Sequence, residues 1–201
     1  VDTLIWTLIG FLSGSVPYSP LLGRLALGKN IREYGDGNPG STNVFKAGGR
    51  WVGVAALLLD GFKGAIPVGI AYWGAEIRDW SLIPVALAPV LGHAFSPFLR
   101  GRGGKAVATT FGIWTGLTGP EAPIVLGFLL GIWFLATGPS GWALLFALLC
   151  FGLHLLNYRP DPAFLILWLL NVLLLIWKYR ADLLQRPVLK LTLARKLLRR
   201  A

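Results

Sequence analysis

Seven apolar segments run along the chain: Leu4–Leu27, Trp51–Gly74, Trp80–Leu99, Ala106–Gly119, Ala122–Ala136, Gly141–Leu156 and Ala163–Trp177. A bilayer span takes about 20 mainly apolar residues. The pattern therefore predicts an all-α fold, a polytopic transmembrane helical bundle of about seven spans. The fourth to sixth segments fall below about 17 residues, which leaves a thinned bilayer, a tilted helix pair and a re-entrant hairpin open for that region. Gly14, Pro17, Pro20 and Pro67 lie inside spans, where neighbouring helices or a cavity must satisfy the freed backbone. The start of the chain carries Asp2, no basic stretch and no small-residue cleavage site. It reads as a retained first span, not a signal peptide. With no repeat, heptad pattern or long polar linker, residues 1–201 read as a single integral membrane domain.

Composition narrows the class further. The chain is 55% hydrophobic and 14% charged, which excludes a disordered chain and an ordinary soluble domain. A net charge of +10 comes from 19 basic and 9 acidic residues. Its placement carries the information. Five basic residues lie from Arg24 to Arg50, three from Arg100 to Lys105 and eight from Lys178 onward, and a seven-span chain puts all three groups on one side. The other side receives Arg78 and Arg159 against Asp2, Glu76, Asp79, Glu121 and Asp161. Positive loops mark the cytoplasm, so the N-terminus is expected outside and the C-terminus cytoplasmic. Residues 179–201 alternate Leu and Val with Lys and Arg, the pattern of a basic amphipathic cytoplasmic tail on anionic lipid. These charges flank a span, so no nucleic acid partner is expected. Cys150 stands alone in an apolar run and reads as filler.

The candidate chemistry lies in the polar loop from Arg32 to Lys46. Gly35, Gly37 and Gly40 fall within six residues and permit left-handed angles and close approach to a ligand. Successive amides in such a turn form an anion-binding nest, to which Ser41, Thr42 and Asn43 add donors and Lys46 a charge. The competing reading is a tight turn with a helix cap at Ser41 or Thr42. The spacing of the nucleotide P-loop is absent. A second glycine-rich cationic element contains His93, Gly103, Gly104 and Lys105. It is expected to face the first at the same membrane surface, an arrangement suited to a doubly charged phosphorylated substrate beside a lipid-soluble partner. A third group is polar residues within spans: Ser13, Ser15, Tyr18, Arg24, Asp60 and Lys63. Asp60 and Lys63, three apart on a helix, either pair with each other or line the site. Arg24 either joins the site or snorkels to the interface.

Four stretches, in this order, carry a resemblance: Ser13-Gly-Ser-Val-Pro-Tyr18, Gly35-Asp-Gly-Asn-Pro-Gly-Ser-Thr-Asn-Val-Phe-Lys-Ala-Gly-Gly49, Asp60-Gly-Phe-Lys-Gly64, and Gly92-His-Ala-Phe95 followed by Gly103-Gly-Lys-Ala-Val-Ala-Thr109. Together they resemble the bacterial acyl-phosphate:glycerol-3-phosphate acyltransferases, membrane-integral enzymes. The resemblance implies transfer of an acyl chain from acyl phosphate to the sn-1 hydroxyl of glycerol 3-phosphate, giving lysophosphatidic acid and phosphate as the first acylation of phospholipid synthesis. It also implies seven spans in the bacterial cytoplasmic (inner) membrane, a cytoplasmic active site, and membrane lipid as surroundings. By motif, Gly37, Asn38, Gly40, Thr42 and Asn43 would cradle a substrate phosphate, and Lys46 stands where Arg is usual. Lys105 would neutralise charge on the acyl phosphate.

Acyl phosphate is a mixed anhydride with a good leaving group, so no covalent enzyme intermediate is required; positioning and charge stabilisation suit Lys105, Asn43 and the loop amides. His93 is the candidate general base near neutral pH, with a hydrogen-bonded helix-end histidine and a substrate phosphate oxygen as alternatives. Ser15, Arg24, Ser41, Lys46, Lys63, Gly103 and Gly104 complete the substrate-binding set. No metal-ligand cluster, Ser-His-Asp order or dinucleotide fingerprint occurs, and no cofactor is implied.

The chain departs from the family at Asp36, usually Ser, at Ser41, commonly Ala, and at Ser96, commonly Pro. Downstream, Thr137-Gly-Pro-Ser140 and Lys178-Tyr-Arg-Ala-Asp182 stand where Thr-Arg-Tyr-x-Ser and Arg-His-Arg-x-Asn types are usual. His154 and Asn157 are expected at the outer end of the sixth span, with structural roles. A diverged paralogue that binds a phosphorylated lipid or metabolite, and a small transporter with glycine-interrupted spans, are the competing function classes.

Overall fold

The computed structural model describes residues 2–190, which fall into two compact units that divide after Pro120. Both are helical, and every apolar segment marked in the sequence is largely helical, the first as two helices. The tail from residue 191, on which about half of the expected amphipathic tail falls, lies outside the described residues.

The first unit opens with α1 (Asp2–Ser15) and α2 (Tyr18–Leu27). The pattern predicted one continuous element here; prolines divide it. Pro17 and Pro20 have no N–H to return to the carbonyls of Ser13 and Val16 four residues earlier. Val16 N turns back to Ser13 O in a tighter bond of 3.3 Å, and Nζ of Lys63 donates to Val16 O at 2.8 Å. Then follow α3 (Ser41–Lys46), α4 (Arg50–Gly69) with a π-turn over Ile70–Gly74, α5 (Asp79–Ala94) and α6 (Val107–Thr118). Helix α1 packs on α5 and α4 on α6. The second pair touches at backbone distance: a Cβ at Gly112 would lie 2.0 Å from Gly61 O. Trp114, Ile113 and Leu117 of α6 are fully buried beside it.

Pro67 inside α4 and the last turn of α6 each leave a carbonyl without a helical donor, and a side chain from another element takes each. Pro67 frees Lys63 O, which accepts from Oγ of Ser13 at 2.8 Å. Pro120 stands four residues beyond Gly116, whose carbonyl accepts from the Trp73 indole N–H at 2.9 Å. In an apolar surrounding each such bond removes an otherwise unsatisfied polar group.

The second unit contains α7 (Glu121–Ala136), α8 (Ser140–Tyr158), α9 (Pro162–Lys178) and the one-turn α10 (Arg180–Leu183). Asp161 caps α9 by accepting from Ala163 N at 2.8 Å, ahead of Pro162 at the first helical position. A two-residue antiparallel pair, β1 (Thr137–Gly138) with β2 (Val188–Leu189), is an addition to the expected all-helical fold. The described start of the tail is thus a helical turn and an extended pair, not one continuous amphipathic helix. Arg159 and His154 both meet the carboxylate of Glu121, the histidine at 3.4 Å, and His154 stacks on Tyr158. Asn157 donates to Leu153 O.

Four helical stretches are long and apolar enough to cross a membrane: Asp2–Leu27, Arg50–Gly74, Asp79–Leu99 and Ser140–Tyr158. The last corrects the expectation of a short sixth segment, since the helix takes in Ser140 and residues through Tyr158 to reach 19 residues. Glu121–Ala136 and Pro162–Lys178 are shorter apolar helices, and α6 has 12 residues. Leu4, Leu8, Leu12, Leu58, Ile66, Phe128, Leu135, Leu153 and Leu173 are exposed, as lipid-facing side chains are.

Candidate functional site

The loop between α2 and α3 is anchored before it becomes polar. Asn30 caps a single 3-10 turn over Ile31–Glu33 by accepting from Arg32 N. Ile31 is buried against Val44 and Ala56, with Leu22, Leu27 and Val52 around them. Beyond this plug the chain turns at Gly35 (φ 61°) and Gly37 (φ 71°), left-handed angles that favour glycine. A Cβ at Gly35 would meet Oδ1 of Asn43 at 2.3 Å and Nζ of Lys46 at 2.9 Å, so both side chains close over its bare backbone.

Asp36 lies at the centre of the turn. Its Oδ1 accepts from Asn38 N at 3.2 Å and from Nδ2 of Asn43 at 3.0 Å, and its Oδ2 lies 3.0 Å from Nζ of Lys105. Asn43, nearly fully buried, also donates to Asn38 O at 2.8 Å. Partial burial acts to raise the Asp36 pKa, but the Lys105 bond and charge, the Asn38 N–H and the Asn43 amide prevail, holding the carboxyl below its ordinary 3.8. Among the sequence-predicted residues, Asn38, Asn43 and Lys105 therefore converge on one anionic position, with Gly37 in the turn and Lys46 alongside Gly35. Gly40 is the extended residue preceding α3, Ser41 begins that helix largely buried, and Thr42 is exposed on it.

The second element folds onto the first, as the sequence predicts. His93 closes α5, and its carbonyl accepts from Gly104 N at 3.0 Å. A Cβ at Gly103 would sit 1.9 Å from His93 O, and one at Gly104 would sit 2.1 Å from Nε2 of His93. Only a glycine pair lets the chain lie this close before it turns outward through Lys105 and Ala106. The Arg32 guanidinium donates to Arg102 O at 2.7 Å and ties the two elements together.

Beneath them is a buried polar cluster. Asp60 pairs with Lys63 at 2.8 Å, accepts from Oγ of Ser19 at 2.7 Å and faces Nδ1 of His93 at 3.8 Å. Lys63 is thereby committed to Asp60 and to Val16 O. Ser15 is fully buried; its hydroxyl donates to Phe11 O, and its carbonyl accepts from Oγ of Ser96 at 2.6 Å. Ser15 and Lys63, both expected to bind substrate, are thus engaged within the bundle and not brought to the cradle. Arg24 instead lines a cavity of about 550 Å³ with Arg32, Arg100, Asn30, Leu21 and Phe98. Arg32, Arg100 and Asp36 are the parts absent from the sequence-derived site. Arg32 and Arg100 were visible only as charge, and Asp36 only as a departure from the family's usual Ser.

The two departing downstream segments meet in the second unit. The Asp182 carboxylate accepts from Oγ of Ser140 at 2.9 Å and from Gly141 N at 3.1 Å. Tyr179 lies against the same glycine. Among the described residues, no group of three or more His, Cys, Asp or Glu side chains is placed to hold a metal ion.

Helices long and apolar enough to cross a bilayer, with a glycine-rich polar loop packed on them through Ile31, define the class: a helical integral membrane protein with a polar cluster. The chain belongs to the glycerol-3-phosphate acyltransferase family, whose model matches residues 4–186. It is 47% identical over 120 residues to glycerol-3-phosphate acyltransferase 1 of Thermotoga maritima, covering 59% of each chain. Against the Anaeromyxobacter sp. Fw109-5 enzyme it is 42% identical, again over less than two thirds of that relative, 62%. The match to the Gloeobacter violaceus protein is longer: 32% identity over 182 residues, 89% of this chain and 88% of that one. The fold is similar to crystal structures of PlsY (YgiH), an integral membrane glycerol 3-phosphate acyltransferase. The glycerol 3-phosphate form gives a TM-score of 0.82 at 29% identity, covering 91% of this chain and 90% of that one. The lysophosphatidic acid form gives 0.81 at 28%.

Proposed function

We propose that this protein transfers an acyl chain from acyl phosphate to the sn-1 hydroxyl of glycerol 3-phosphate, in a bacterial cytoplasmic membrane with the site facing the cytoplasm. The observation that carries the reading is the convergence of Asn38 N–H, the Asn43 amide and the Lys105 ammonium on one anionic position. The arginine-edged, apolar-walled cavity supports it, because a ligand with a charged head and a hydrocarbon chain matches both surfaces. Relatives bearing the acyltransferase name, and PlsY in its glycerol 3-phosphate and lysophosphatidic acid forms, point the same way.

In this reading the acceptor hydroxyl oxygen attacks the acyl carbon. The bond from that carbon to the phosphate oxygen breaks, the electron pair leaves with phosphate, and the hydroxyl proton passes to a phosphate oxygen. Lys105 and Asn43 stabilise the negative charge that grows on the departing group, the kind of term whose removal costs about 10²–10³ in rate. His93 is buried against Gly104 with Asp60 on its other side, a placement that favours holding the glycine pair over abstracting a proton. Lys46 and Arg32 supply further positive charge at the loop.

The test is acyl transfer by the purified protein in lipid, with acyl phosphate and glycerol 3-phosphate supplied and lysophosphatidate and phosphate followed. Wild-type product that falls at least about a hundredfold in Lys105→Ala is the expected result. Binding of glycerol 3-phosphate with no product would replace the enzyme with a binding protein, and substrate-dependent flux without product would replace it with a transporter.

A further inference from the structure

The cradle contains a negative charge of its own. Asp36 Oδ1 rests on Asn38 N–H and Nδ2 of Asn43, and Oδ2 on Nζ of Lys105. These are the donors that the proposed function gives to a substrate phosphate, and two carboxylate oxygens on three donors reproduce part of a phosphate's contact set. The exposures have a direction: the Asp36 side chain is 49% exposed, whereas Asn43 is 1% exposed. The carboxylate therefore stands at the mouth, with solvent on one side and the donors behind it. The same contacts keep it ionised.

We propose that Asp36 is an internal occupant of the phosphate position and sets the affinity of the cradle. A phosphate monoester or inorganic phosphate binds by exchange: the carboxylate turns into solvent as the incoming oxygens take the Asn38, Asn43 and Lys105 donors. This rests on the acyl-transfer reading of the same site and deepens it. Once phosphate is formed, the returning carboxylate competes with it and speeds its release. A purely structural role predicts the opposite sign, because a turn that merely needed Asp36 would bind anions less well without it.

The experiment compares wild type with Asp36→Ser and with the near-isosteric Asp36→Asn, which retains an oxygen for the Asn38 N–H. Each is measured in lipid for the glycerol 3-phosphate KM at saturating acyl phosphate, and for inorganic phosphate both as an inhibitor and as a calorimetric ligand without acyl phosphate. Both variants are expected to bind phosphate about three- to tenfold more tightly, the range available to a half-exposed charge pair, with a lower KM. Unchanged or weaker phosphate binding in Asp36→Asn would overturn the proposal whether or not the serine variant folds. Absence of wild-type product would count against acyl transfer alone, since phosphate calorimetry still reads the exchange.

Discussion

A methyl group at Gly104 would sit 2.1 Å from Nε2 of His93, so the imidazole and the glycine define each other's space. If His93 acts by holding the turn that presents Lys105, the two positions are energetically coupled. Gly104→Ala is expected to cut acyl transfer about a hundredfold, on the scale of one lost transition-state donor. In a His93→Ala background, where the ring is gone, the same change is expected to cost much less. A double-mutant cycle on kcat/KM measures that coupling. Strictly multiplicative losses would separate His93 from the turn and return it to candidacy as a base. A rate that loses its dependence on pH between 6 and 8 in His93→Ala but not in Gly104→Ala would do the same.

Helices α2, α4 and α5 meet at Asp60 and Lys63, and the cost of disturbing this junction depends on which partner remains. Removing one member of a buried ion pair costs about 3–5 kcal/mol, because the other is left charged and unpaired. Asp60→Asn still offers Ser19 an acceptor, whereas Lys63→Met leaves the Asp60 carboxylate without its cation and takes from Val16 O one of its two donors, the other being Tyr18 N. Thermal unfolding in detergent should therefore place Lys63→Met below Asp60→Asn, and both well below wild type. Equal melting temperatures in all three proteins would show that the pair contributes nothing to holding the helices. The sequence spacing made a mutual ion pair natural, and it is present. It could not reveal that the same lysine closes the break between α1 and α2. That role depends on Val16 O and Nζ of Lys63 meeting across the fold, and no periodicity encodes it. The boundary of α8 was misjudged for a related reason, since Ser140 and Tyr158 are polar-tipped residues that a helix end accommodates and an apolar count omits.

The stretch Arg50–Gly74 has 25 residues, or about 37 Å at about 1.5 Å per residue, more than the roughly 30 Å of hydrocarbon it would cross. The charge asymmetry of the loops predicts that its ends lie on opposite sides. In a Cys150→Ala background, Arg50→Cys is expected to react with an impermeant maleimide only from the cytoplasmic face, and Ala75→Cys only from the outer face. Labelling of both from one side would exclude a crossing here and reverse the reading of the site as cytoplasmic. At this scale the apolar pattern read the helices well: each marked segment is largely helical, and four helical stretches are long and apolar enough to cross a membrane. The two glycine-rich elements were legible as motifs, and their meeting was an inference from topology. The Asp36–Lys105 contact was not legible, since Arg32 and Lys46, the nearer cations in sequence, were its obvious partners and the fold spends Arg32 on Arg102 O.

Two prolines in the first unit, Pro20 and Pro67, each leave a carbonyl to which Lys63 or Ser13 donates from elsewhere in the fold. A proline here is half of a joint, and its donor is the other half. At Pro67, which lies inside α4, substituting alanine restores the local helical bond, straightens the segment and leaves the distant donor Ser13 without its acceptor, so a change that strengthens one helix loosens two. Anyone redesigning this protein for robustness would have to treat these residues as pairs, exchanging a proline and its donor together or leaving both alone.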